Sequence, residues 1–247
     1  MSLAFRDVRL AGVYNVRDLG GLPQRDGGIT RRGVFLRGDS PHHLSTAAQD
    51  ELLQRHHVAT VIDLRSLREV LHHPNPFGQD TRVQYRSLPL QTTGLRMFDV
   101  RQITQLHLYY QHLIRTAQAP LRTVFETLAD APAATYFHCR IGKDRTGIVA
   151  AMMLELVDVS TDVIIDDYLQ TTAKIVPLIA QYAHERPFFI RKSLYEGLFE
   201  ARAETMHHYL RYLQRTYGGA HGYLVQIGVD AARIAKIQDK LAGSIQP

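Results

Sequence analysis

Short apolar runs separated by longer amphipathic ones recur through the first half of the chain. Val58–Leu64 is apolar at every position but Thr60 and Asp63, which predicts a central strand buried on both faces. Gly33–Arg37 and Ala133–Phe137 are short and apolar or β-prone, and Arg82–Leu88 alternates, so each predicts a further strand. Between them, Leu44–His57 opens with Ser45 and Thr46, and Gln49 follows three residues after Thr46, a helix-start pattern. Thr104–Ala117 and Leu121–Ala129 also predict helices, with Pro120 at the start of the second. Paired glycines after Asn15-Val16-Arg17-Asp18-Leu19 read as a turn, Asp26-Gly27 as a hairpin, and Pro74, Pro76 and Gly78 as a loop. After Gly147 the pattern is helical almost to the end. Ser160 caps Asp162–Gln170, and Thr172–Tyr182, Leu194–Tyr217, Gly222–Gly228 and Ala231–Leu241 follow.

Strands alternating with helices predict an α/β fold: a mainly parallel central sheet flanked by helices, with a helical C-terminal half. No repeat, low-complexity tract or linker divides the chain, so residues 1–247 are expected to form a single domain. In such sheets ligands sit beyond the C-terminal strand ends, where Asp63 and Cys139 both fall.

The stretch Phe137-His138-Cys139-Arg140-Ile141-Gly142-Lys143-Asp144-Arg145-Thr146-Gly147 carries the chemistry. It reads as strand, tight loop and buried helix, the last beginning with Ile148-Val149-Ala150. Backbone N–H groups of such a loop converge on one point, and the helix N-terminus adds partial positive charge there. Arg145 adds a planar clamp suited to a phosphate, and the positive field favours a thiolate at Cys139 beneath it. A nucleotide-binding loop would need glycine where Phe137 stands and Ser or Thr where Asp144 follows Lys143. A sulfurtransferase loop has no need of an arginine six residues after its cysteine. A merely buried cysteine leaves Arg140, Lys143, Asp144 and Arg145 crowded into one loop without a reason. The pattern points to phosphate-ester cleavage through a cysteinyl phosphate.

The segment His138-Cys139-x5-Arg145-Thr146 resembles the signature of the cysteine-dependent protein tyrosine phosphatase superfamily. HCRIGKDRTG is similar to its atypical bacterial and fungal branch, tyrosine/serine phosphatases of which several act on phosphoinositides. Asn15–Gly21, Arg32–Arg37, Asp63-Leu64-Arg65-Ser66 with Glu69, and Gly222-Tyr223-Leu224 with Gly228 resemble that branch too, so the likeness spans most of the chain. It implies Cys139 as nucleophile, Arg145 as phosphate clamp, and Asp144 as general acid. Asp63, at a strand end, and Asp99, in a loop, are the competing acids. Arg140, Ile141, Gly142, Lys143 and Thr146 complete the phosphate-binding loop, and Thr146 donates to the thiolate. A lysine at 143 implies lipid or multiply phosphorylated substrates, whereas Arg140 faces either phosphate or solvent. His138 and Arg37 are expected to shape the loop, and Asp63 either to act in catalysis or to hold the N-terminal segment through ion pairs. Helices within 171–217, with the apolar cluster Pro187-Phe188-Phe189-Ile190, are expected to form a lid.

Composition narrows the setting rather than the chemistry. Lys plus Arg number 29 against 24 Asp plus Glu, a net charge of +5 that favours anionic partners weakly, and nothing resembles a nucleic-acid motif. The single cysteine excludes an intramolecular disulfide and fits a reducing compartment. The first ten residues contain Arg6, Asp7 and Arg9 and no apolar core of a signal, and no apolar run is long enough to span a membrane. A cytoplasmic enzyme without cofactor is expected, with signal-less export left open and oligomeric state undetermined. The paired histidines 42–43, 56–57, 72–73 and 207–208 do not suggest a metal, because adjacent side chains diverge on a helix or strand. The expected substrate is a phosphotyrosine protein, with phosphoserine and phosphothreonine as further candidates; a phosphoinositide is the alternative within enzymes, and a silent phosphate-binding module the alternative outside them.

Overall fold

The computed structural model describes residues 6–91 and 105–243. Within them one five-stranded sheet comprises β1 (Arg17–Asp18), β2 (Phe35–Gly38), β3 (Val58–Asp63), β4 (Gln84–Ser87) and β5 (Ala134–His138), in the order β1-β2-β5-β3-β4. β1 pairs antiparallel to β2, and the other three pairings are parallel. The last strand in sequence is thus the middle one in space. β1 answers to no apolar pattern, since its two residues are Arg and Asp; Arg17 is held inward by a carboxylate described below.

The period-2 alternation of the strands sorts two cores. Leu36, Tyr136 and Val61 lie in register across β2, β5 and β3 and face one core, completed by Ala48 and Leu52 of α1 (Thr46–Gln54). Phe35, Phe137 and Ile62 face the other. That second core is filled by α3 (Leu106–Thr116), α4 (Gln118–Asp130) and α5 (Asp144–Leu156), and by helices of the C-terminal half. α5 is buried from Thr146 through Leu154, an apolar-all-round helix that only a central position can accommodate. β4 is an edge strand with exposed Gln84 and Arg86, side chains that discourage pairing with another chain.

Several boundaries differ from expectation for local reasons. α2 (Leu67–His72) was not foreseen; Ser66 and Glu69 start it with a reciprocal capping box. The break expected between Gln170 and Thr172 falls later, at Ile175. α6 (Thr161–Lys174) ends at Ile175, and α7 (Val176–Tyr182) restarts with Pro177 in its first turn. The stretch from Leu194 to Tyr217 is likewise divided into α8 (Lys192–Gly197) and α9 (Ala203–Tyr217), because the carbonyls of Leu198 and Glu200 turn to a lysine instead of continuing a helix. α10 (Ala220–Gln226) and α11 (Ala231–Leu241) close the chain.

A third, small core holds Ile141 together with Ile175, Leu178, Tyr182, Ile190, Tyr195 and Phe199. Residues 175–199 therefore pack directly on the loop that follows β5. α9 does not: Met206, Tyr209, Leu210 and Leu213 belong to the main core. Among the described residues no helix is long and apolar enough to cross a membrane.

Candidate active site

The loop from Cys139 to Lys143 leaves the C-terminal end of the central strand and enters α5. Four consecutive carbonyls of this loop are taken by donors from elsewhere. His138 Nδ1 lies 3.0 Å from the Cys139 carbonyl, and the Ser40 N–H donates to Arg140 at 3.0 Å. The Asn15 amide donates to Ile141 at 2.8 Å, and the Arg37 guanidinium to Gly142 at 2.9 Å. In a trans peptide the N–H points opposite to the carbonyl of the same plane. Fixing those four carbonyls outward therefore aims the N–H groups of Arg140, Ile141, Gly142 and Lys143 the other way. The free N–H groups of the first turn of α5 join them. The result is a cup of backbone donors, a shape made for an anion.

Gly142 is required by geometry. Its φ is +72°, and a Cβ there would lie 2.6 Å from the Gly38 backbone and 2.8 Å from Asn15 Nδ2. Gly38, at the end of β2, lets the loop come that close.

Behind the loop lies a cluster the sequence did not announce. Asp167 of α6 accepts from Arg6, from Arg17 Nε at 3.0 Å and from Arg37 Nη1 at 2.6 Å, and all four side chains are buried. Burial pushes the Asp167 carboxyl up, but the three guanidiniums outweigh it and hold it well below the usual carboxylate range. Arg17 also donates to Asn15 Oδ1 at 2.5 Å, so Asp167 positions both side chains that grip the Ile141 and Gly142 carbonyls. Asp39 serves the same segment from another side, accepting from the backbone of Tyr14 and from Asn15 N–H at 2.9 Å; burial raises its carboxyl to about 6. A sequence signal for Asp167 existed: it lies on the helical face of Ile164, Tyr168 and Thr171, where an acid needs partners.

Arg145 meets Glu69 through two parallel bonds, Nη1 to Oε2 and Nη2 to Oε1, each 2.7 Å. Glu69 Oε2 also accepts from the Ser66 N–H at 2.7 Å. Burial pushes the Glu69 carboxyl up, but Arg145 and Ser66 hold it down to about 2. Asp144, the first residue of α5, accepts from the Tyr110 hydroxyl at 2.8 Å, and Tyr110 meets the Tyr168 hydroxyl at the same distance. The Thr146 hydroxyl is buried without a hydrogen-bond partner. Cys139 is buried and free of any disulfide.

The other two cations of the loop are engaged by residues 182–200. The Lys143 ammonium is buried and donates to the carbonyl of Leu198, with Glu200 O at 3.4 Å and the Asp144 carboxylate at 3.5 Å. Arg140 pairs with Glu185, and its guanidinium stacks 4.0 Å from the centre of the Tyr182 ring. Asp63 does not face the loop cavity. Arg65 Nε and Nη2 donate to its two oxygens at 2.9 and 2.7 Å, and Asn75 and Tyr85 donate at 3.0 Å each. Asn75 Nδ2 also lies 2.9 Å from His138 Nε2. With Nδ1 donating to the Cys139 carbonyl and Nε2 accepting from Asn75, the ring is neutral, in keeping with burial pushing it down. Asp99 lies outside the described residues.

Of the histidine pairs, 207–208 lies within a helix, 56–57 in a loop, and 72–73 at the end of α2. His42 and His43 occupy a turn rather than a helix or strand, and their rings meet at 4.0 Å, with His73 packed 4.7 Å from His42. Even so, no group of three His, Cys, Asp or Glu side chains among the described residues is arranged to hold a metal ion.

A thiol at the end of a central parallel strand, in a loop of inward-facing backbone donors and six residues before an arginine held by Glu69, is the arrangement that phosphate-ester cleavage through cysteine needs. The chain belongs to a tyrosine phosphatase family, whose sequence model matches residues 8–243. It is 35% identical over 139 residues to the triple specificity protein phosphatase PtpB of Mycobacterium tuberculosis, a match that covers 51% of this chain and half of that protein's length. It is 28% identical to a tyrosine-protein phosphatase of Nostoc commune over 228 residues, 84% of this chain and 74% of the relative. Among solved structures, the core catalytic domain of the PP-IP phosphatase SIW14 from S. cerevisiae matches with 17% identity and a TM-score of 0.37, over 61% of this chain and 77% of that one.

Proposed function

We propose that the chain hydrolyses phosphomonoesters, phosphotyrosine in proteins foremost, through a phosphocysteine on Cys139. The observation that carries this reading is the set of four outward-fixed carbonyls, which leaves the Arg140–Lys143 N–H groups to hold three phosphoryl oxygens above the thiol. The Cys139 thiolate attacks phosphorus in line, and the ester P–O bond breaks as the S–P bond forms. Asp144, steadied by Tyr110, gives its proton to the departing ester oxygen. Water then attacks phosphorus, Asp144 takes a proton from it, and the S–P bond breaks to return the thiolate. Arg145 and the loop N–H groups bind the charge of the transferring phosphoryl group in both steps. The Thr146 hydroxyl, buried and otherwise unpartnered, donates to the leaving thiolate. His138, Arg37 and Asp63 act through the loop's shape rather than on substrate.

Residues 175–200 act as a cover in this scheme, since they sit on Ile141 and occupy both Arg140 and Lys143. A substrate bearing more than one phosphate is favoured by those two extra cations once the cover yields them. The phosphoinositide reading rests on that point, and the name of the mycobacterial relative supports specificity beyond tyrosine. A nucleophile that works only as a free thiol suits the reducing cytoplasm.

Turnover of p-nitrophenyl phosphate in the presence of EDTA, lost in Cys139→Ser, is the expected result. Full activity in that variant overturns the mechanism, and no turnover by the wild type leaves a phosphate-binding module instead. Phosphate release from phosphotyrosine, phosphoserine and phosphoinositide substrates then ranks the specificities.

A further inference from the structure

The turn Pro187–Ile190 displays two phenylalanines where a water-facing turn has no use for them. The Ile190 N–H closes it by donating to the Pro187 carbonyl at 3.0 Å, and the Arg186 guanidinium donates to the Ile190 carbonyl. Phe188 and Phe189 take the two central positions, which ordinarily go to small or polar residues. They are 94% and 64% exposed. Their rings meet edge to face at 5.4 Å and so form one apolar knob. Ile190, buried in the small core of the cover, anchors the turn from behind. The fold gains nothing from the knob, because neither ring is in that core.

The surroundings of the knob say what it suits. Arg186 precedes it, and the exposed Arg191 and Lys192 follow it. Of the nearby acids, Glu185 is taken by Arg140, and Glu196 stands 3.8 Å from Lys192. An aromatic tip inside a basic collar matches an anionic bilayer surface, with rings at the acyl boundary and cations among the headgroup phosphates. An apolar protein surface would accept the rings but has no need of the collar.

Both ends of this stretch rest on the catalytic loop: Glu185 holds Arg140, and the Leu198 carbonyl holds Lys143. Phe188 is three residues from Glu185, so no more than ~11 Å of extended chain separates them. We propose that the Phe188–Phe189 turn docks the protein on anionic lipid surfaces, placing the mouth of the site against the bilayer. The proposal stands whether or not the site turns over any lipid.

The chain contains no tryptophan, so Phe188→Trp creates a single fluorescent reporter at the tip. The probes are phosphatidylcholine vesicles, with and without about 30% phosphatidylserine. The expected result is a blue-shifted emission, shielded from an aqueous quencher, with the anionic vesicles only, fading as salt shortens the range of the collar's attraction. Sedimentation of the unlabelled chain with those vesicles should fall about tenfold or more in Phe188→Ser/Phe189→Ser and in Arg191→Glu/Lys192→Glu. Circular dichroism confirms that the variants fold. The proposal is overturned if anionic vesicles neither shift the emission nor carry the chain down, or if the double serine variant binds as well as the parent. It is equally overturned by a blue shift that grows with protein concentration without vesicles, which would make the knob a self-association surface.

Discussion

Glu69 and Arg145 face each other through two parallel bonds of 2.7 Å, and the same Glu69 caps the helix that Ser66 begins. A helix start thus sets the plane of the guanidinium that the proposed mechanism sets against a phosphate. Charge-assisted pairs of this kind contribute ~1.5–3 kcal/mol. Glu69→Gln should therefore lower kcat/KM on p-nitrophenyl phosphate about 10- to 100-fold, while the chain still folds. A value within twofold of wild type would show that the pair does not orient Arg145.

The same carboxylate makes stability depend on acid. Its folded pKa is depressed, from an ordinary 4.5 to about 2, so its contribution is present above the unfolded value and is lost as pH falls from about 4.5 to about 2. The depression corresponds to roughly 2–3 kcal/mol after allowance for a side chain that is 24% exposed. Urea midpoints of wild type and Glu69→Gln should converge across that window. Asp167, also depressed, lowers the stability of both chains in the same direction. A gap between the two proteins that stays constant down to pH 2 would contradict the linkage.

Asp144 and Asp63 separate by environment. Asp144 accepts from one hydroxyl at the start of α5, with the Lys143 ammonium 3.5 Å away, whereas Asp63 is enclosed by Arg65, Asn75 and Tyr85. Asp144→Asn should cost about 10²–10⁴-fold in kcat with a poor leaving group such as phenyl phosphate, and far less with a good one. Asp63→Asn should lower stability and affect both substrates alike. The reverse pattern would make Asp63 the proton donor.

The Glu185–Arg140 pair ties residues 176–200 to the loop after β5, and both side chains are partly exposed. Pairs so placed contribute at most ~1 kcal/mol, so Glu185→Gln should quicken amide exchange across 176–200 about two- to fivefold. Peptide-resolved hydrogen exchange reads this directly. Unchanged protection there would leave the apolar core around Ile141 and the Lys143 bonds to Leu198 and Glu200 as the hold.

What the chain showed in advance was local. The continuous apolar strand of Val58–Leu64 and the Cys139–Arg145 spacing are each written in adjacent residues, and both appear where expected. Glu69 could have been read from Ser66-x-x-Glu69, yet the helix it starts has no buried residue and so no apolar rhythm. The partnership of Asp167 with Arg6, Arg17 and Arg37 joins residues 130 to 161 positions apart, beyond the reach of any periodicity. The engagement of Lys143 by the Leu198 carbonyl was hidden for the same reason, since a backbone acceptor carries no residue signature.

The four fastenings of the loop carbonyls have a consequence for a chain still being made. Asn15, Arg37, Ser40 and His138 all precede or adjoin Cys139, but the carboxylate that steadies Arg17 and Arg37 arrives only with residue 167. Synthesis runs from the N-terminus, so a shorter nascent chain lacks the carboxylate that steadies two of the loop's holders. The loop's last fastening is therefore made some 28 residues after its cysteine.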